Sequence, residues 1–391
     1  MELPTIVFDI ASDGLDQLQS DVQKIPGFVL TGVTVAGANK VTVGTSYAIY
    51  SLDEAIALGI EETGTNAYAY KQIKSFYDMA GSGAKLWFMV VVAATTLEQM
   101  ASLTGTFAKK LLADAKGEIR ILGFAKKSGT TETITNGLDA DAGLAAIAAN
   151  ALANDYASRY NPFRCIIAGN KFSGTVADLK DYRTTTLNRT SIFIGNTDGT
   201  KDANIGLLLG RLASIPTQRK IQRVKDGPVE NLAAYFTNGE VVESLETAWP
   251  TISQNNYIFL KSFAGRSGYY FSTDPTLTAA TDDFKTLSRG LVMDEAVILA
   301  YNTLVEELSD EVPVTAAGTI HPAIIKSWQN NVDKQIRDNM VTPGKLSDVK
   351  IYINSKQNIL STGKLNIQIQ LLPVGYAEYI TVNIGFTTAI E

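Results

Sequence analysis

Between Ser51 and Ser214 the chain alternates short apolar runs with stretches of helical periodicity, and this alternation constrains the fold more than any other feature. Leu86 to Val92 is apolar on both faces, as a strand covered on both sides must be. Before it, Ser51-Leu-Asp-Glu54 reads as a capping box that opens a helix ending near Gly59. Ile73, Phe76, Tyr77 and Ala80 mark a second helix that stops at Gly81. After it the pattern repeats. Helices are predicted over about Leu97 to Leu112, Gly143 to Tyr160 and Ala203 to Ser214, with strands over Ile119 to Phe124, Arg164 to Ala168 and Ser191 to Ile194. Strands separated by helices of this length pair in parallel, so an α/β core is expected, clearest from about residue 30 to 215.

Past Asn255 the pattern changes to a hairpin (Tyr257 to Phe263, Tyr269 to Ser272) and two long helices, about Leu287 to Leu308 and Pro322 to Asn339. Ile324, Trp328, Val332 and Ile336 form one stripe of the second. The chain then ends on strand patterns. Leu365, Ile367, Ile369 and Leu371 alternate with polar residues, as do Ile380, Val382, Ile384 and Phe386, with no charge between Glu378 and Glu391. At the other end Ile6, Phe8 and Ile10 alternate, followed by a polar stretch from Ala11 to Lys24. Left as open edges, such strands aggregate, so each needs a pairing partner. The expected organisation is an N-terminal arm (1–25), an α/β core (26–250), an α+β C-terminal part (251–376) and a C-terminal arm (377–391), with extended β-strand arms at both termini.

With 45% hydrophobic and 19% charged residues the chain has a globular composition. Its net charge of -6 argues against nucleic acid as partner, because that affinity comes chiefly from cations on phosphates. The longest apolar run, Leu86 to Ala94, falls far short of the ~20 residues that span a bilayer, and the acidic start, Glu2 and Asp9, does not read as a signal peptide. No membrane insertion and a cytoplasmic site of synthesis are expected. Cys165 lies in an apolar run, a buried thiol, and the one histidine, His321, precedes Pro322 as a loop or helix-cap residue. One His and one Cys leave little for zinc or Cys-His catalysis, and no nucleophile elbow or Walker loop occurs. Gly81-Ser-Gly83 stands in the wrong order for a dinucleotide fingerprint. Asp139, Asp141 and Gly143 lack the twelfth-position acid of a calcium loop and read as a capped helix start. No cofactor, no metal and no catalytic residue are expected. The alternative is a soluble α/β enzyme that binds a small phosphorylated ligand at Gly195-Asn-Thr-Asp-Gly199, with Asp198 and Asp202 placed for a hard cation, although a plain Asn/Asp/Gly turn explains the same residues. One local charge cluster stands out. Arg211, Arg219, Lys220, Arg223 and Lys225 precede the next acid, Asp226, and Glu306, Glu307, Asp310 and Glu311 form an acidic counterpart, so an electrostatic interface between copies is a further expectation beside the plain reading of a solvated face.

Several stretches resemble the sheath subunits of contractile tails, found in myovirus-type phages and phage-like injection systems. They are SYAIYSLDEAIALGI with AYKQIKSFYDMAGSGAKLWFMVVV, then GLLLGRLASIPTQRKIQ, then SGYYFSTDPTLT, LSRGLVMDEA and the final strands. The resemblance runs from about Ser46 to the end, with the middle from Gly117 to Thr190 matched only in pattern, and it places Tyr270, Asp274 and Arg289 in a framework position. It implies a non-enzymatic subunit of a helical stack of hexameric rings, linked by strands that the terminal arms lend to neighbours. It also implies an inner tube protein, a baseplate and a tail terminator as partners, assembly in a bacterial host cytoplasm, and contraction that drives the tube through a target envelope. On this resemblance, outer domains of the kind that larger sheaths add are not expected within these residues.

Overall fold

Strand β1 (Ile25–Thr31) is buried at every residue, which only a sheet covered on both faces allows. This holds in a computed structural model that describes residues 24–307 and 311–382. Around β1 lie β2 (Ser46–Ile49), β3 (Leu86–Val91), β4 (Ile119–Ala125), β5 (Arg164–Ala168), β6 (Thr190–Phe193) and β7 (Tyr257–Ile258), in the order β7-β6-β5-β4-β1-β3-β2. All pairings are parallel except that of edge strand β2. The α/β core is thus mixed but parallel-rich.

The central strand itself was not legible, because Pro26-Gly27 reads as a breaker. Proline has no N–H to give the ladder, and the register against β4 slips between Ile25 and Pro26 to accommodate it. Gly27 fits because a Cβ there would lie 2.7 Å from the Ile119 side chain.

Helices α1 (Leu52–Ala57), α2 (Ala67–Ala80), α3 (Leu97–Ala101), α4 (Phe107–Asp114), α5 (Ala140–Ala157) and α6 (Ile205–Ser214) supply the covering layers. Ser51 caps α1 by accepting from the Glu54 N–H, but the Glu54 carboxylate accepts from Tyr50 N at 3.0 Å, one residue earlier than a capping box requires. The single helix predicted from Leu97 to Leu112 is two helices. Between them the Ser102 hydroxyl accepts from Thr104 N at 3.2 Å, a local bond that competes with the helix ladder. After α7 (Trp249–Gln254), β8 (Leu260–Phe263) and β9 (Arg266–Phe271) form the expected hairpin, and α8 (Leu287–Leu304) follows.

By compactness the chain divides into Met1–Tyr301 and Asn302–Glu391. Just past residue 250, β7 is an edge strand of the large sheet. The smaller unit contains α9 (Pro322–Ile336), β10 (Leu346–Ile353) and β11 (Ile367–Pro373). Its buried stripe on α9 is Ile325, Trp328, Val332 and Ile336, with Ile324 only half-buried.

Candidate functional site

The seven-stranded sheet and the sheet of the smaller unit treat their edges differently. The large sheet ends on β2 and β7, four and two residues long, too short to recruit another chain. In the smaller unit β10 and β11 run eight and seven residues and pair only with each other among the described residues. One face of β10 buries Leu346, Val349 and Ile353, while along β11 Gln368 and Gln370 are exposed and Ile367, Ile369 and Leu371 half-buried. A long two-stranded ribbon is marginal by itself and presents two rows of backbone groups to further strands.

Just beyond β11 the described chain runs on to residue 382 without joining any strand. Tyr379, Ile380 and Val382 are 94%, 78% and 73% exposed, large apolar groups left mostly to solvent. Of the arm residues picked out by alternation, Ile6, Phe8, Ile10, Ile384 and Phe386 lie outside the described residues.

The basic cluster is divided in two. Arg211 is buried and donates to the Asp226 and Gly227 carbonyls at 3.0 and 2.7 Å, and Lys220 is buried 2.9 Å from Asp274. Those two belong to the interior, not to a surface patch. Burial lowers the Arg211 guanidinium from its ordinary value, against the pull of Asp226. Arg219 and Arg223 both reach Asp226, at 3.3 and 2.5 Å, and Lys225 is exposed. On the acidic side Glu306 is exposed, and Glu307 accepts from Trp328 Nε1 at 2.7 Å. Asp310 lies outside the described residues, and Glu311 is exposed.

The Gly195–Gly199 loop spends its polar groups on itself. Asn196 Oδ1 accepts from Asp198 N and Gly199 N, its Nδ2 donates to the Thr200 and Asp202 carbonyls, and Asp198 pairs with Lys71. Asp202 accepts from Ser128 N at 2.7 Å. The alternative of a phosphate-binding loop therefore gains no support from its geometry. Asp139 caps α5, and Asp141 accepts from Leu97 N and Glu98 N at the start of α3. His321 Nδ1 accepts from Ala323 N as the cap of α9. Burial pushes the Cys165 thiol far up, out of nucleophile range. Asp274 accepts from Ser288 N at the start of α8, so the Tyr270, Asp274 and Arg289 framework contributes a helix cap. Among the described residues no group of three or more His, Cys, Asp or Glu is arranged to hold a metal ion, and no helix is long and apolar enough to cross a membrane.

Sequence models of two adjoining domains cover nearly the whole chain: DUF2586, N-terminal domain, over residues 8–275, and DUF2586, C-terminal domain, over residues 283–391. The chain belongs to the DUF2586 family. No curated protein matches this DUF2586 protein in sequence. Solved structures do match its fold. A chain of the anti-feeding prophage helical sheath in the contracted state superposes with a TM-score of 0.63 at 12% identity, over 100% of both chains. A chain of the six-fold symmetrised anti-feeding prophage baseplate gives 0.63 at 13% identity, over 99% of this chain and 100% of that one. The contracted sheath complex of the extracellular contractile injection system PVC gives 0.58 at 11% identity, over 99% and 98%. The DUF2586 protein therefore has the fold of contractile sheath proteins from end to end. Sequence reasoning had singled out the arms but not β10, whose alternation is broken by Ser347-Asp348 at a register shift, nor Arg337 and Asp348 beside it.

Proposed function

We propose that this protein is the structural subunit of a contractile sheath, which polymerises around an inner tube and shortens to drive that tube through a target envelope. The observation that carries the reading is the end-to-end likeness to a chain that forms a helical sheath, with neither chain left over. The strands β10 and β11, which pair with no third strand among the described residues, and the exposed Tyr379, Ile380 and Val382 support a link by strand exchange, in which arms around Ile6 to Ile10 and Ile380 to Phe386 lend strands to the small sheets of neighbours. A head-to-tail contact of this kind that does not close builds a helix of subunits, here read as stacked hexameric rings. Contraction is then a switch between two packings with the arms as hinges. At roughly 25 cal/mol per Å2 of apolar surface, a few hundred Å2 gained per subunit supplies the work when summed over many copies. The partners are an inner tube protein, a baseplate and a terminator, with assembly in a bacterial cytoplasm. Arg219, Arg223 and Lys225 of one copy facing Glu306, Glu307 and Glu311 of another would fix register more than add affinity.

The test is electron microscopy of the purified chain in negative stain, beside a chain lacking residues 380–391. The full chain is expected to form tubes and the shortened one to remain a folded subunit. Absence of tubes at any concentration or salt overturns the sheath reading. Tubes from the shortened chain overturn exchange of the C-terminal arm.

A further inference from the structure

The open sheet of the smaller unit is not equally open on its two sides. In an antiparallel pair, successive residues turn their N–H and C=O alternately toward the partner strand and away from it. Val349 donates its N–H to Asp348 Oδ1 at 2.9 Å, and its carbonyl accepts from Arg337 Nη2 at 3.0 Å. Side chains take both groups, which sets Val349 toward the outer edge of β10. Arg337 Nη1 also donates to the same Asp348 oxygen at 2.9 Å, while Asp333 accepts from Nε and Nη2 at 3.1 and 3.2 Å. A single π turn, Arg337–Val341, continues α9 at this point and carries the arginine. The Arg337–Asp348 pair does at Val349 what a neighbouring strand does: it gives a donor to the carbonyl and an acceptor to the N–H.

On the other side the register sets Leu371 opposite Val349 and Ile369 opposite Ile351, which by the same alternation turns Ile369 and Leu371 to the outer edge of β11. No side chain among the described residues engages the backbone of Ile369 or Leu371. The side chains of Arg337 and Asp348 are 41% and 61% exposed, and an ion pair so exposed adds little net stability. It is a closure easily opened.

We infer that Arg337 and Asp348 form a displaceable guard on the outer edge of β10, standing in for a strand in the free subunit and opening when the C-terminal arm of a second copy, residues 377–391, pairs there. The inference rests on the arm exchange proposed above. The arm fits as occupant because it begins beside this sheet, its described part joins no strand, and its alternating Ile380, Val382, Ile384 and Phe386 carry no charge to replace either member of the pair. Released from Val349, Arg337 keeps Asp333. The guard meets the hazard of an exposed edge, which otherwise pairs with any strand it encounters.

The experiment titrates a fluorescent peptide of residues 377–391 against the full chain, diluted below the concentration at which tubes form, and against Arg337→Ala, Asp348→Ala and Arg337→Lys under the same dilution, following anisotropy with time at several salt concentrations. Either alanine variant is expected to bind several-fold faster than wild type. The wild-type rate should rise as salt screens the pair, a dependence the alanine variants lose, and Arg337→Lys should retain most of the wild-type behaviour. Thermal melts of each variant separate a folding defect from an open edge, and two independent alanine variants cover the failure of one to fold. Equal rates and equal salt dependence in all four chains overturn the guard and leave arm exchange standing. No binding to any of them overturns both.

Discussion

Arg164 and Asp294 stand 130 positions apart and meet almost fully buried, Nε to Oδ2 at 2.7 Å and Nη2 to Oδ1 at 3.1 Å. Arg189 adds a second cation at 3.0 Å, and Gly290 leaves the room, since a Cβ there would sit 2.4 Å from Arg164 Cζ. Arg164 gives two further donors to the Asn188 and Gly290 carbonyls, at 2.7 and 3.0 Å. This cluster ties the first residue of β5 to α8, and nothing in the sequence announced it, because charges that pair across such a separation show no spacing. Local chemistry was legible by contrast: Ser51, Asp139 and His321 each cap the helix that follows them, since a cap reaches only the next few N–H groups. Removing one partner of a buried pair strands the other's charge, which costs about 3–5 kcal/mol. Asp294→Ala should therefore lower the unfolding free energy by that order in urea titration. A loss below about 1 kcal/mol would show that water reaches Arg164 and that the pair is not dry.

At the scale of elements, α2 and α6 approach so closely that only glycine fits between them. A Cβ on Gly206 would lie 1.8 Å from the Gln72 carbonyl oxygen, and one on Gly210 2.5 Å from that of Phe76. Both obstacles are backbone, so no side chain can swing aside. The Gln72 amide completes the joint, donating to the Ala203 carbonyl and accepting from Gly206 N, each at 2.9 Å. The helices themselves were legible from periodicity. Their contact was not, since periodicity gives a buried face but not the distance at which it is met. Elsewhere the strands with continuous apolar runs, β3, β4 and β5, were read nearly to the residue, whereas β1 and β10 were lost to Pro26-Gly27 and Ser347-Asp348, where the ladder itself is irregular. Gly206→Ala sets two effects against each other. Alanine favours the helix by about 1 kcal/mol, and overpacking costs typically about 1–3 kcal/mol and more where backbone must move. The clash should win, with a lowered melting midpoint and loosened near-UV dichroism. A raised midpoint would mean that the two helices separate without cost.

For the molecule as a whole, the two units differ in how much of their stability they carry themselves. The larger unit buries an extended core on both faces of its sheet. In the smaller one the buried apolar residues are fewer, among them Ile320, Ile325, Trp328, Val332, Ile336, Met340, Leu346, Val349 and Ile353, and among the described residues no third strand pairs with β10 or β11. Terminal strands are an expectation from alternation, which survives without any knowledge of the partner, and the described residues 374–382 join no strand. Which sheet would receive them was not legible, because the acceptor is a property of edges and edges are decided by topology. A unit with a small core and open strands opens locally at low free energy, and adding strands to its edges should raise that free energy with little effect on the large sheet. Hydrogen exchange read by mass spectrometry tests this. In the free subunit, amides of 346–373 should exchange well before those of β4 and β5. In tubes they should slow by orders of magnitude, while β4 and β5, already protected by the core, change little. Slowing spread evenly over both units would locate the subunit contacts on the large unit instead, and the terminal strands would then need some other partner.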